Sequence, residues 1–200
     1  FPGELCKNWK TKSTGTFDCE FGYSCMGYEI AGGWGAKMAD PSRDVIVFVG
    51  DGSYLMMNSD IYSSVLTGHK LIVVVCDNGG FSVINRLQHF KGSATFNNQI
   101  TDSKVERVEY VDFVQHAKSM GALGEQVESI GELEAAFKRA KAADRTYLIA
   151  TRIQEQQWAP ADAWWDLGVP EVSEREEVRQ ARADHIDLWR NGRDAAASGR

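Results

Sequence analysis

Residues 45–81 read VIVFVGDGSYLMMNSDIYSSVLTGHKLIVVVCDNGGF, and two apolar runs within them decide the fold. Residues 45–49 and 71–76 are continuous apolar stretches of strand length, the pattern of strands buried on both faces. Each runs into a polar, glycine-containing turn: Gly50-Asp51-Gly52-Ser53 after the first, Asp77-Asn78-Gly79-Gly80 after the second. Residues 54–66 between them read as one helix closed by Thr67-Gly68.

Working outward, residues 26–39 predict a helix rich in small residues and ended by Asp40-Pro41-Ser42. Its Gly32, Gly33 and Gly35 each cost about 1 kcal/mol against alanine. Such a cost fits close approach to a ligand or backbone, and equally fits tight helix–sheet packing. Downstream the sequence predicts a short helix over 81–89, a polar loop over 91–101, helices over 111–120 and 130–143, and a strand over 147–153. This alternation predicts an α/β fold, a doubly wound, mostly parallel sheet flanked by helices. Residues 1–20 read as polar and irregular. Beyond Gln157 the composition shifts to Trp158, Trp164 and Trp165, then to a charged helix over 174–189, with Ser173 and Glu176 spaced as a capping box. The expected organisation is a cofactor-binding domain over 1–157 and a C-terminal tryptophan-rich segment with a surface helix over 158–200.

The chain has 200 residues and a net charge of −6, enough for one real core and too acidic to favour nucleic acid or an anionic membrane. No apolar run is long enough to span a bilayer. The four cysteines, Cys6, Cys19, Cys25 and Cys76, form no Cys-x-x-Cys pair. They read as free thiols of a cytoplasmic protein, with Cys76 buried at a strand end.

In an open α/β sheet, ligands sit beyond the carboxyl ends of the strands, where both turns lie. Glycines there let a backbone approach a ligand, and a helix start offers N–H groups to a phosphate. Asp51 supplies a hard carboxylate oxygen, Asn78 an amide oxygen and Gly80 a carbonyl, which together make half of an octahedron. Magnesium favours that geometry and takes its other oxygens from phosphates and water. The competing readings are a dinucleotide fingerprint begun by Gly50 and Gly52, in which Leu55 stands at the third glycine position, and a plain cap plus a plain turn. A P-loop is excluded, because no Gly-Lys-Ser/Thr follows a glycine cluster.

Gly-Asp-Gly, an asparagine 27 residues beyond the aspartate, and a following Gly-Phe together resemble the cofactor signature of thiamine diphosphate enzymes. The usual ending is Asn-Asn; here it is Asp77-Asn78, with the metal-binding second position retained. Upstream, SCMGYEIAGGWGAKMADP is similar to the Met-Gly segment of the acetolactate synthase group. The segments EFGYSCMGYEIAG, VGDGSYLMMNSDI, DNGGFSVINRLQ and AWWDLGVPEVSERE are similar to the hydrolases of that group that open a cyclic polyol 1,2-dione in inositol catabolism.

The resemblance implies thiamine diphosphate and Mg2+ as cofactors, with Asp51, Asn78 and the Gly80 carbonyl as metal ligands. It implies diphosphate contacts from Gly50, Gly52 and Ser53, and aminopyrimidine contacts near Ser24 and Met26, with Met26 wedging the cofactor into a bent shape. It implies a homo-oligomeric hydrolase acting on a C–C bond. The family's catalytic glutamate belongs to a separate pyrimidine-binding domain. The chain is therefore expected to be part of a longer enzyme, inactive alone, with that domain as its partner. The alternatives are another thiamine diphosphate enzyme, of acetolactate synthase or 2-oxoacid decarboxylase type, or a binding module without activity.

Within the chain Glu29 is the candidate acid, for a polyol hydroxyl or a proton, against a plain solvent-facing role. His89 reads as a surface residue that could line the pocket. His69 and His116 have nothing chemical around them in the sequence, and Trp164 and Trp165 read as packing anchors.

Overall fold

The computed structural model describes residues 2–20, 22–155, 157 and 168–197. They form two compact units, one from the described residues of 1–80 and 106–159, the other from those of 81–105 and 160–200.

The first unit holds α1 (Pro2–Asn8), α2 (Tyr28–Ala39), β1 (Ile46–Gly50), α3 (Asp51–Met56), α4 (Asp60–Leu66) and β2 (Ile72–Asp77). The second holds α5 (Ser82–Phe90) and a 3-10 turn, Ile100–Asp102. The first then resumes with α6 (Phe113–Ser119), β3 (Leu123–Val127), α7 (Ile130–Ala142) and β4 (Tyr147–Arg152), and α8 (Glu176–Ala197) completes the second. All four strands pair in parallel in the order β1-β2-β4-β3.

The side-chain alternation of β2 splits the core. Val73 and Val75 face a cluster with Val47, Val49, Tyr54, Ile61, Phe113 and Leu148. Ile72 faces the other way, into a smaller cluster with Val127, Ala136, Ala140 and Ile149 against α7. Helices therefore cover both sheet faces, as the apolar runs require. Of the α2 glycines, Gly33 has a packing explanation: a Cβ there would lie 2.4 Å from Cγ2 of Val47 on β1. Lys37, nearly buried, donates from Nζ to the carbonyls of Pro41 and Arg43 and so fixes the chain just past the helix end.

Four elements differ from the sequence reading. Residues 54–66 are two helices rather than one, parted at 57–59, where Asn58 and Ser59 favour turns over a helix interior. Residues 1–20 are not irregular throughout: α1 forms, and Trp9 packs edge-on against Phe48 of β1. β3 was not anticipated, because LGEQV carries only Leu123 and Val127 as apolar side chains and forms the sheet edge. The Ser173–Glu176 capping box does not form, since α8 starts at Glu176 and Ser173 Oγ instead accepts the N–H of Arg175. Trp158, Trp164 and Trp165 lie outside the described residues.

Candidate functional site

Parallel register sets Gly50 beside Cys76 and Asp77 beside Arg152, so the two strand-end turns come together at one edge of the sheet. Asp51 opens α3 and is only 5% exposed. Its Oδ1 accepts the N–H of Asn78 at 3.4 Å. Burial, and next the nearby charge of Asp77, push its carboxyl above the usual range; N–H groups of Asn78, Asp51 itself and Gly80 pull the other way. Gly79 and Gly80 have φ of +75° and +146°, so the turn after Asn78 takes backbone angles that a side chain resists.

Asp77 points elsewhere. Its Oδ1 accepts the N–H of Gly79 at 2.9 Å, and its Oδ2 lies 3.2 Å from Nη1 of Arg152. The Arg152 guanidinium stands 4.0 Å over the Tyr110 ring. The residues fit a hard cation: Asp51, Asn78 and Gly80 carry oxygen donors and share one set of hydrogen bonds, and Asp51 is a buried carboxylate. Among the described residues no group of three or more His, Cys, Asp or Glu is placed to hold a metal. An amide, a carbonyl or a ligand's oxygens would therefore have to complete any cation site.

The second half is the 24–29 turn. Ser24 has φ of +53° and Gly27 of +95°. A Cβ on Gly27 would meet Met57 Cβ at 2.4 Å, so glycine is required by angle and by space. Ser53 Oγ accepts the Gly27 N–H at 2.7 Å and donates to Glu29, whose Oε2 also accepts from Gly27 at 2.9 Å. Glu29 is therefore not a plain solvent-facing residue: with Ser53 it ties the Met26–Gly27 turn to α3. Gly52 and Ser53 are buried in the first turn of α3, and Gly50 enters it in extended conformation. Met26 is 38% exposed. In front of the turn, Glu20 accepts the N–H groups of Tyr23 and Cys25, both at 2.7 Å, which hold its carboxyl below the usual range.

Sequence reasoning missed several of these partners. Glu20 and Arg152 carry no motif. His116 does have chemistry around it: its Nδ1 is 2.9 Å from the hydroxyl of the fully buried Tyr54, whose phenol burial pushes up. His69 bonds Thr67 at the end of α4. His89 is exposed in the second unit, with Nε2 2.9 Å from Thr95 Oγ1.

An open parallel sheet with two such turns at its carboxyl edge defines an α/β protein of the cofactor-binding kind. Within that class the chain belongs to the thiamine pyrophosphate enzyme family: residues 3–151 match its C-terminal TPP binding domain. It is 38% identical over 182 residues to the 3D-(3,5/4)-trihydroxycyclohexane-1,2-dione hydrolase of Bacillus subtilis, covering 90% of this chain and 28% of that protein. It is 36% identical over 187 residues to the hydrolase of the same name from Clostridium botulinum, covering 90% and 29%. The chain thus spans less than a third of the length of these curated relatives. Among solved structures it resembles the Rhodococcus jostii thiamine diphosphate-dependent 4-hydroxybenzoylformate decarboxylase, with a TM-score of 0.58 and 26% identity over 64% of this chain and 23% of that one. No helix among the described residues is long and apolar enough to cross a membrane.

Proposed function

We propose that this chain is the diphosphate- and metal-binding part of a thiamine diphosphate-dependent hydrolase that opens a cyclic polyol 1,2-dione by C–C bond cleavage. One observation carries the site: the buried Asp51 carboxylate receives the N–H of Asn78 across two strand-end turns. In this reading Asp51, Asn78 and the Gly80 carbonyl hold Mg2+. Gly50, Gly52 and Ser53 line the diphosphate. Ser24 and Met26 meet the aminopyrimidine and the bend of the cofactor. Glu29 keeps Met26 in place through Gly27 and Ser53, a positioning role beside its candidate role as an acid. When bound, thiamine diphosphate supplies the nucleophilic carbon and the electron sink.

The substrate class follows the names of the relatives. The family's activating glutamate then lies in a pyrimidine-binding domain, supplied by the rest of a longer chain or by another subunit of a homo-oligomer. In sequence, residues 1–157 supply the cofactor-binding part and 158–200 a C-terminal segment, while 81–105 group with the latter in the fold. The free thiols Cys6, Cys19, Cys25 and Cys76 suit the cytoplasm.

The test is ring opening of trihydroxycyclohexane-1,2-dione, followed by product mass. The chain joined to a relative's pyrimidine-binding region turns over only with both thiamine diphosphate and Mg2+. The chain alone turns over essentially nothing, because acid–base assistance worth about 10²–10⁴-fold is missing. Robust turnover by the chain alone contradicts the proposal.

A further inference from the structure

Two aspartates meet at the turn after β2, with Glu155 near its Gly79. Asp51 and Asp77 accept N–H groups from the adjacent residues Asn78 and Gly79, and a Cβ on Gly79 would come within 3.3 Å of Glu155 Oε1. Magnesium bound beside a diphosphate needs few carboxylates, whereas calcium takes more oxygens and readily accepts bidentate ones. A second mobile carboxylate at this turn would therefore shift the choice of cation and repel the diphosphate.

Asp77 is held on both oxygens. Its side chain is 13% exposed, and each of its oxygens has a partner, the Gly79 N–H on one and Arg152 on the other. Arg152 reaches it because the two residues are register neighbours on β2 and β4. Tyr110, lying under the guanidinium, limits where Arg152 can go.

We infer that Arg152 is a positioning residue for cation selectivity: by pairing with Asp77 and holding it away, it leaves Asp51 as the single strand-end aspartate offered to the metal. This rests on the reading of Asp51, Asn78 and Gly80 as the cation ligands. The Asp77-Asn78 ending and the Arg152–Tyr110 pair form one device, in which the acid is tolerated because the cation beside it is fixed.

The experiment is calorimetric titration of thiamine diphosphate into the 200-residue chain with Mg2+ or with Ca2+, giving a ratio of the two affinities. Arg152→Met frees Asp77 and raises the Ca2+-to-Mg2+ ratio about tenfold, on the rule that ligand charge count tunes calcium affinity. The double variant Asp77→Asn with Arg152→Met returns the ratio to that of the wild type, which a merely structural role of Arg152 does not predict. If Arg152→Met does not fold by circular dichroism, Tyr110→Leu decides: Tyr110 is 52% exposed, and its loss loosens Arg152 and moves the ratio the same way. An unchanged ratio in the folded Arg152 variant, or in Tyr110→Leu where that variant decides, overturns the inference alone, as does a double variant that keeps the raised ratio. A wild-type chain that binds the cofactor equally with and without divalent cation overturns the cation-site reading and the inference with it.

Discussion

The main-chain N–H of Asn78 points at Oδ1 of Asp51, 3.4 Å away, although 27 residues separate them. The bond uses the backbone N–H of Asn78, not its side chain. Asn78→Ala therefore keeps this backbone bond and removes the proposed amide-oxygen ligand. The expected result is weaker Mg2+-dependent cofactor binding by the folded variant, measured by calorimetry. Wild-type affinity in Asn78→Ala would remove that residue from the ligand set.

Ser53→Ala deletes both bonds that join α3 to the Met26–Gly27 turn, the one accepted from Gly27 and the one donated to Glu29. Hydrogen bonds of this kind contribute about 0.5–1.5 kcal/mol each. Urea denaturation of Ser53→Ala should show a loss of about 1–2 kcal/mol. Glu29→Gln should lose less, because the amide oxygen still accepts. Equal stability of Ser53→Ala and wild type would show that the latch carries no energy.

Met26 sits on the surface of its turn, with 38% of its area exposed. Truncation to alanine opens no sealed cavity, so the large penalty of a buried methionine does not apply. Stability should move by no more than about 0.5 kcal/mol, as for other surface changes. Cofactor affinity should fall, since the proposed wedge is gone. A large drop in melting temperature together with unchanged affinity would reverse this assignment.

Glu125 of β3 takes a two-pronged contact from Arg139 of α7, with N···O distances of 2.8 and 2.6 Å, and accepts from the Tyr147 hydroxyl. Arg139 first, and Tyr147 next, hold its carboxyl below the ordinary 4.5. A depressed carboxyl stabilises the fold fully above its unfolded value and loses that contribution as pH falls through the folded value. The pair is open to solvent, so screening keeps its contribution small. Glu125→Gln should thus flatten the stability profile below pH 4.5 and change little of its shape at neutral pH. An acid limb identical to that of the wild type contradicts this.

The strands at 45–49 and 71–76 were legible because burial on both faces leaves an unbroken apolar run. The turns after them were legible because Gly-Asp-Gly and Asn-Gly-Gly are costly anywhere a ligand or a sharp turn does not require them. β3 was not, because an edge strand half open to water needs only Leu123 and Val127. The pairing of Asp77 with Arg152 was hidden too: 75 residues apart, they meet only through the order β1-β2-β4-β3. The bond between Ser53 and Glu29 was hidden as well, since nothing local announces that Ser53 will come within 2.9 Å of Glu29.

The most direct measurement is a calorimetric titration of thiamine diphosphate into the chain with Mg2+ present, set beside the same titration of Asp51→Ala. Asp51 is the one carboxylate assigned to the metal, and a charged hydrogen-bonding partner is worth about 1.5–3 kcal/mol, or roughly 10- to 100-fold in affinity. The account predicts saturable binding by the wild type that is abolished by chelating the Mg2+ and weakened by at least about tenfold in a folded Asp51→Ala. Binding by Asp51→Ala equal to that of the wild type would contradict it.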